Sequence, residues 1–358
     1  REAYRRASVT VRYGHQSAQL AEIRRFDPKR QGRWSFSSQQ ATLRRLDKAF
    51  AAFFRRLKAG AKPGYPRFKG IGHFDTVEFP KDGDGCRWDS TPHDLVTRVR
   101  FQGIGHVRVH QHRRVRGQVK TVSVKREGRR WYVVLCADVP PAPLPKSNSQ
   151  IGIDLGVASF LTTSEGKHID NPAYSHRTSN RLRTAQQVSA RRKRGSARHK
   201  EAVAKVAALH RKSRRQRLDH AHKTALALVR DHDLIAHEDL YVAGMMRRPA
   251  PRSDVNGGYA SNGAAAKSGL NRSIADAGWR MFLAILIAKA ESAGRDVIAV
   301  NPANTSRTCP ECRHVAKENR LSQADFRCIS CGHTRHADVV AAINILRAGL
   351  ALRKAQMG

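Results

Sequence analysis

Four cysteines in this chain have the spacing of metal ligands. Cys309-Pro-Glu-Cys312 and Cys328-Ile-Ser-Cys331 lie within 23 residues, with fifteen residues between the two pairs. This is the C-x2-C, spacer, C-x2-C pattern of a zinc site. Two thiolates three positions apart on a tight knuckle can face one tetrahedral ion, and a second knuckle closes the shell. Four protein ligands leave no open position, so a zinc ion held here is structural. The competing reading is a pair of redox C-x-x-C motifs, but neither pair has the strand-to-helix setting such a motif uses. Cys86 and Cys136 are isolated. Cys136 ends the apolar run Trp131–Cys136 and reads as a small core side chain.

Three acids are the second chemical feature. Asp154 interrupts the apolar run Ile151-Gly-Ile-Asp154-Leu, Glu238 closes Leu234-Ile-Ala-His-Glu238, and Asp338 precedes an apolar-faced helix. Singly, each has a bland reading: Asp154 could head a turn, Glu238 could sit on the surface, and Asp338 could cap a helix. A carboxylate inside a core strand is costly unless it is paired or binds a cation. Two strands and a helix around three acids, in a basic chain, point to one acidic cluster. Such a cluster can hold two Mg²⁺ or Mn²⁺ ions, roughly 3.5–4 Å apart, that activate water and stabilise the leaving oxygen of a phosphodiester. His237-Glu238 does not extend to a zinc-protease H-E-x-x-H, because position 241 is Tyr.

The charge balance names the kind of partner. The 358 residues carry 67 Lys+Arg against 29 Asp+Glu, a formal net charge of +38. Self-repulsion on that scale opposes folding, so it points to a polyanion. A hydrophobic content of 40% excludes whole-chain disorder. The longest apolar run, Met281 to Ala288, is far short of the roughly 20 residues of a membrane span, so no membrane partner is expected. Between Arg177 and Arg217 there are fifteen Lys/Arg and one acid, Glu201. Arg191, Arg192, Lys193, Arg194, Arg214, Arg215 and Arg217 are the candidate phosphate contacts from this stretch.

The elements that must position these residues can be read from periodicity. Residues 1–60 look helical, with Ser37 and Gln40 as a capping box ahead of Leu43, Leu46, Phe50, Phe53, Phe54 and Leu57. Short β-rich stretches follow: Thr76–Phe79, Val107–His110, Val119–Lys125 and Trp131–Ala137, with a hairpin turn at Glu127-Gly128. Pro140–Pro145 reads as a stiff linker. Beyond it, strands are expected at 151–156, Ser159–Thr163, 234–240 and Asp296–Val300. The basic stretch 177–230 reads as helical, 249–271 as a mobile loop, and Ile274–Ala293 and Asp338–Leu350 as helices.

Taken in order, the motifs resemble those of a known family. Ile151-Gly-Ile-Asp154-Leu-Gly-Val is similar to the first motif of RuvC-like nucleases, and His237-Glu238-Asp-Leu-Tyr to the second. The two cysteine knuckles with Asp338-Val-Val-Ala-Ala-Ile-Asn344 resemble a zinc ribbon and the third motif. Gly64-Tyr-Pro-Arg-Phe-Lys69, Leu43–Phe54 and Asn271–Trp279 add to the likeness. Together they resemble the TnpB, or OrfB, family of insertion-sequence transposons, relatives of type V CRISPR effectors.

The resemblance implies an α/β RNase H-like (RuvC) nuclease domain with an inserted zinc ribbon, an N-terminal helical region and a small wedge-like β-barrel. The corresponding boundaries are 1–60 for a truncated recognition-like region and 61–147 for the wedge. The nuclease domain would take 148–300 and 336–352, and the ribbon 301–335. Asp154, Glu238 and Asp338 would hold catalytic Mg or Mn, and Cys309, Cys312, Cys328 and Cys331 structural Zn. A guide RNA would pair with target DNA, and the protein would cut that DNA in the bacterial cytoplasm, at the nucleoid. Part of the family's N-terminal region would precede Arg1. The alternatives are a silent RNA-guided DNA-binding regulator and a decayed transposase fragment. Two departures stand out: Ala337 replaces the usual Arg before the third acid, and Val340 the usual Asn after it. Arg313 also takes the place of the Gly that usually ends the first knuckle.

Overall fold

The computed structural model describes residues 2–67, 69–70, 73–91, 94–254 and 257–357. Phe68 of the Gly64–Lys69 motif lies outside them. The chain forms two compact units that meet in sequence between Pro140 and Pro141.

The first unit begins with three helices, α1 (Glu2–Ala7), α2 (Tyr13–Phe26) and α3 (Phe36–Lys58). Ser35, not Ser37, caps α3: its hydroxyl accepts from the Ser38 N–H at 3.2 Å. Ser37 instead donates to the Asp84 carboxylate, and Gln40 reaches the Ser17 hydroxyl at 2.9 Å. The expected capping box fails because both side chains find tertiary partners. Six strands follow: β1 (Thr76–Phe79), β2 (Cys86–Trp88), β3 (Arg98–Phe101), β4 (Gly105–Arg108), β5 (Gln118–Glu127) and β6 (Arg130–Asp138). They form two antiparallel sheets, β1-β5-β6 and β2-β3-β4. Phe79, Cys86, Val99, Phe101 and Val122 from both sheets share one core. Cys136 is exposed, contrary to the sequence reading. It faces Thr121 across the ladder, on the face away from Val122 and Leu135. A strand's period of two, not the apolarity of the whole run, decides that.

The second unit is built on a five-stranded mixed sheet. Its strands are β7 (Gln150–Asp154), β8 (Ser159–Thr163), β9 (His168–Asp170), β10 (Leu234–Glu238) and β13 (Asp296–Val300), in the order β13-β10-β7-β8-β9. β7, β8 and β9 form an antiparallel meander; β10 lies parallel to β7, and β13 parallel to β10. Between β9 and β10 stand α4 (Tyr174–Ala190) and the 35-residue α5 (Ala197–Asp231). Ser196 caps α5, and Ala221, Thr224, Ala225 and Leu228 recur at helical spacing on its buried face. After β10 come α6 (Val242–Met245), the short hairpin β11 (Arg252–Ser253) and β12 (Tyr259–Ala260), α7 (Ala264–Ala277) and α8 (Trp279–Ala293). β14 (Asp325–Arg327), β15 (Thr334–His336) and α9 (Ala337–Met357) complete the unit.

Two expectations change here. The stretch 249–271 is not a loop throughout, since α7 starts at Ala264, where three alanines follow an Asn262 side chain that accepts from the Ala264 N–H at 3.2 Å. The single helix expected from Ile274 is broken at Gly278, whose φ of 69° lies in the left-handed region. The Pro-rich segment is also bound rather than free. Ala142 and Leu144 donate to the carbonyls of Ser292 and Ala293, and Arg295 donates to that of Pro145. Among the described residues no helix is long and apolar enough to cross a membrane.

Both faces of the sheet are covered. Ile151 and Ile153 of β7 and Ile235 of β10 pack with α5, α7 and α8 around Leu228, Ile274, Phe282 and Leu286. Leu234, Ala236 and Val300 face the other way, onto Ile345 of α9. This double burial explains why the strands read as nearly continuous apolar runs. α9 lies very close to the sheet. A Cβ on Gly152 would stand 2.1 Å from the Ala342 carbonyl oxygen, and one on Gly349 2.6 Å from the Ala236 Cβ. Gly152→Ala should therefore lower the stability measured by denaturant unfolding by at least about 1–3 kcal/mol, the usual penalty for overpacking a core.

Candidate active site and cysteine cluster

Strand alternation brings the first two acids together. In β7, Ile151 and Ile153 face α5 and α8, so Gly152 and Asp154 face α9. In β10, Leu234 and Ala236 face α9, and Glu238 follows on the same side. The register pairs Ile153 with His237, so Asp154 and Glu238 come next, side by side at the carboxyl ends of adjacent parallel strands. Ligands of open α/β sheets gather at such ends. Asp338 opens α9, the helix packed on that same face.

The charges of Glu238 and Asp338 both reach Asp154. The Asp154 carboxyl is pushed up from 3.8 to about 7, first by burial and then by the charges of Glu238 and Asp338. The Arg320 guanidinium and the Leu155 N–H act in the other direction. Glu238 is also held above its ordinary value by burial, against the Thr305 hydroxyl and Arg320. Carboxyls that resist ionisation beside one another are what a hard, oxygen-loving divalent cation relieves.

Three further residues shape this site. The Thr305 hydroxyl donates to Glu238 Oε1 at 2.5 Å. Asn344 of α9 donates to the Thr305 and Thr308 carbonyls at 2.8 and 2.7 Å, which ties that loop to the helix carrying Asp338. Arg320 places Nη2 3.6 Å from Asp338 Oδ1. Asn344 stands in a motif already singled out and Thr305 within the expected ribbon segment 301–335, but their roles do not show in spacing. Arg320 is one of many arginines and carries no local signal at all.

The four cysteines meet as expected. Among the described residues they are the one group of three or more potential metal ligands whose atoms all lie within 4.8 Å of one another. Cys309 and Cys331 sulfurs are 3.6 Å apart, and those of Cys312 and Cys328 3.5 Å. A tetrahedron with zinc–sulfur bonds of about 2.3 Å has edges of about 3.8 Å, so the cluster fits such an ion. Both knuckles close alike: the Cys309 N–H donates to the His314 carbonyl, and the Cys328 N–H to that of His333. The residue after each second cysteine is left-handed, with φ of 66° at Arg313 and 73° at Gly332. Burial alone would raise the Cys328 thiol, yet the N–H groups of Cys331 and Ser330 and the neighbouring thiols bring it below its ordinary value, while the Cys331 thiol, against the His333 N–H, is pushed up by hydrogen bonding with the other thiols. Ala337 and Val340 are fully buried against Cys309, Cys328 and Phe326. These two departures from the family pattern therefore seal α9 onto the knuckles, and the guanidinium beside Asp338 comes from Arg320.

Residues 132–248 match the family model OrfB_IS605, described as a probable transposase, and residues 279–345 match the Cas12f1-like TNB domain. The putative RNA-guided DNA endonuclease InsQ of Escherichia coli (strain K12) is 34% identical over 314 residues, covering 87% of this chain and 74% of that protein. The chain belongs to the OrfB, or TnpB, family. A putative RNA-guided DNA endonuclease of Streptomyces pristinaespiralis is 34% identical over 232 residues, covering 64% of this OrfB chain and about half, 52%, of that protein. A cryo-EM structure of a Cas12f1–sgRNA–target DNA complex superposes with a TM-score of 0.54 at 16% identity, covering 96% of this chain and 77% of the other, which shows a shared fold.

The basic residues of this OrfB chain do not form one patch. Arg191, Arg192, Lys193 and Arg194 are exposed together at the turn between α4 and α5. Arg214 and Arg215 lie some 25 Å further along α5, at about 1.5 Å per residue. Arg217 is engaged structurally: it donates to the Ala275 carbonyl at 3.0 Å and lies 3.6 Å from Asp276. Asp276 in turn accepts from the N–H groups of Ser175 and His176, which anchors the start of α4.

The raised Asp154 carboxyl has a measurable consequence. The folded chain holds this proton more tightly than the unfolded chain, so the group's stabilising contribution is full below about pH 4 and is lost as pH rises towards 7. In Mg-free buffer, Asp154→Asn should remove that loss and raise the melting temperature above pH 7, by about 2–4 °C for each kcal/mol relieved. At pH 4 the two proteins should melt alike.

Proposed function

We propose that this protein is a metal-dependent, RNA-guided DNA endonuclease that hydrolyses phosphodiesters at Asp154, Glu238 and Asp338. The observation that carries this is the convergence of the three acids, from two parallel strands and the helix packed on them, onto one electrostatically coupled site. Membership of a family whose relatives bear that name supports it, as does the likeness in fold to a Cas12f1 complex. The sheet order, with an antiparallel meander flanked by two parallel strands, supports the RNase H-like reading.

On this reading residues 148–300 and 336–352 form the RuvC-like domain, and 301–335 the zinc ribbon. Residues 61–147 form the wedge and 1–60 the recognition region, and within the second unit the basic α4–α5 hairpin contacts guide RNA or target DNA. Asp154, Glu238 and Asp338 would hold magnesium or manganese, which when bound would supply activation of a water and stabilisation of the departing oxygen. Thr305 orients the Glu238 carboxylate towards the shared site, and Asn344 holds Thr305 in place. Arg320 offsets the summed negative charge, so that Asp154 and Glu238 ionise more readily. The work would take place in the bacterial cytoplasm, at the nucleoid.

The direct test is cleavage of a plasmid carrying the guide-matched target and its adjacent motif, with Mg²⁺. Asp154→Ala, Glu238→Ala and Asp338→Ala should each abolish cutting while keeping guide-dependent binding. Thr305→Val should slow cutting about 10–100-fold, as expected for a group that orients a metal ligand. Unchanged cutting by Asp154→Ala would sink the assignment, and binding without any cutting by the intact protein would make it a silent regulator.

The ribbon has its own test. Purified protein should contain one zinc per chain, and Cys309→Ser should lose the zinc and destabilise the second unit. For the hairpin, replacing Arg191, Arg192 and Arg194 with Ala should reduce the slope of log K against log salt by about 0.7–0.9 for each phosphate no longer neutralised.

A further inference from the structure

Tyr241 is an exposed aromatic that nothing in the nuclease reading uses. It follows Glu238 by three residues, which limits the separation of their Cα atoms to about 11 Å. Two tight turns shorten it further: Leu240 N–H donates to the Glu238 carbonyl at 3.0 Å, and Val242 N–H to that of Leu240 at 2.9 Å. Leu240, Val242 and Met246 pack against the main core and anchor this segment. Lys267 and Asn271 of α7 hold its far end through the Met245 and Met246 carbonyls, at 2.7 and 2.8 Å.

On this fixed segment the Tyr241 side chain faces solvent, at 66% exposure. The ring does not swing freely. A Cβ on Gly244 would stand 2.4 and 2.6 Å from the ring's Cδ1 and Cε1, so the ring edge occupies the space that glycine leaves. Arg247 donates to the Tyr241 hydroxyl at 3.3 Å, and its guanidinium carbon lies 5.8 Å from the ring centroid. Arg248 and Arg252 are exposed in the same stretch. A ring set in one orientation beside arginines, next to acids that act on phosphodiesters, is the combination that binds unpaired nucleic acid: a π-face for the base and cations for the backbone. Bases in a duplex already stack on one another, so the ring selects an unpaired strand.

We propose that Tyr241 is a stacking platform for one base of the single strand entering the acid cluster. This deepens the nuclease reading and rests on it. The platform sets where the strand sits relative to Glu238, while Gly244 and Arg247 keep the ring in place.

The test replaces the nucleotides around the cut one at a time by abasic sites, with guide-loaded protein and Mg²⁺. The wild type should cut about 5- to 150-fold more slowly at one abasic position, the equivalent of the roughly 1–3 kcal/mol of one base–aromatic stack. Tyr241→Ala should be slow on intact DNA and indifferent to that position. Tyr241→Phe should keep the wild-type profile, and Gly244→Ala, which displaces the ring, should follow Tyr241→Ala. Equal abasic profiles in wild type and Tyr241→Ala would overturn the platform while leaving the nuclease intact. A wild type that cuts nothing would overturn the nuclease reading instead. Quenching of a 2-aminopurine base in bound single-stranded DNA, present in wild type and absent in Tyr241→Ala, then decides the stacking by itself.

Discussion

The close packing of α9 on the central sheet is the constraint on which the rest of this structure depends. Backbone pairing alone places Asp154 beside Glu238, because β7 and β10 run parallel in a fixed register. The third acid lies a hundred residues further along the chain and reaches the pair only if its helix lies directly on β7 and β10. Gly152 permits that, since its missing side chain leaves room for the backbone of α9 at Ala342. Ala236 and Gly349 do the same one strand over. Larger residues at these positions would lift the helix, and Asp338 with it.

Bringing three carboxyls together opposes folding, and the raised Asp154 carboxyl shows it. The apolar layers on both faces of the sheet supply the rigidity that holds the acids in place. The segment between β13 and α9 supplies the chemistry that tempers them, with the Thr305 hydroxyl on Glu238 and the Arg320 guanidinium beside Asp338. That segment is shaped by the four-cysteine cluster, whose Cys309 and Cys328 pack on Ala337 and Val340 of α9. The thiol cluster is therefore packed on the same helix that carries Asp338. A structural ion at the first would stiffen the second.

Periodicity reported the regular elements well. β1, β8 and β13 begin and end where the sequence pattern places them, because strands buried on one or both faces leave a dense apolar signal. The errors came where a side chain answers to something distant in sequence. Ser37 and Gln40 have the spacing of a capping box, but tertiary partners claim them. Cys136 ends an apolar run yet points outward, because the pleat alternates regardless of the composition of the run. Nor does spacing reveal that Arg217 holds Ala275 and lies beside Asp276.

The sequence by itself determined the ligand types and the strands and helix that carry them. The reason is that C-x2-C spacing and isolated acids in apolar runs are local signals, as is a charge of +38. It also carried the family resemblance, through the order of those motifs. Only the tertiary structure decided which groups act on one another: Arg320 on the acids, Thr305 on Glu238 and Asn344 on Thr305, together with the Tyr241 ring set against Gly244. Most of these interactions join segments that spacing does not relate, and even the local one depends on which way a side chain turns. They arise from the approach of packed surfaces, which no local pattern of residues encodes.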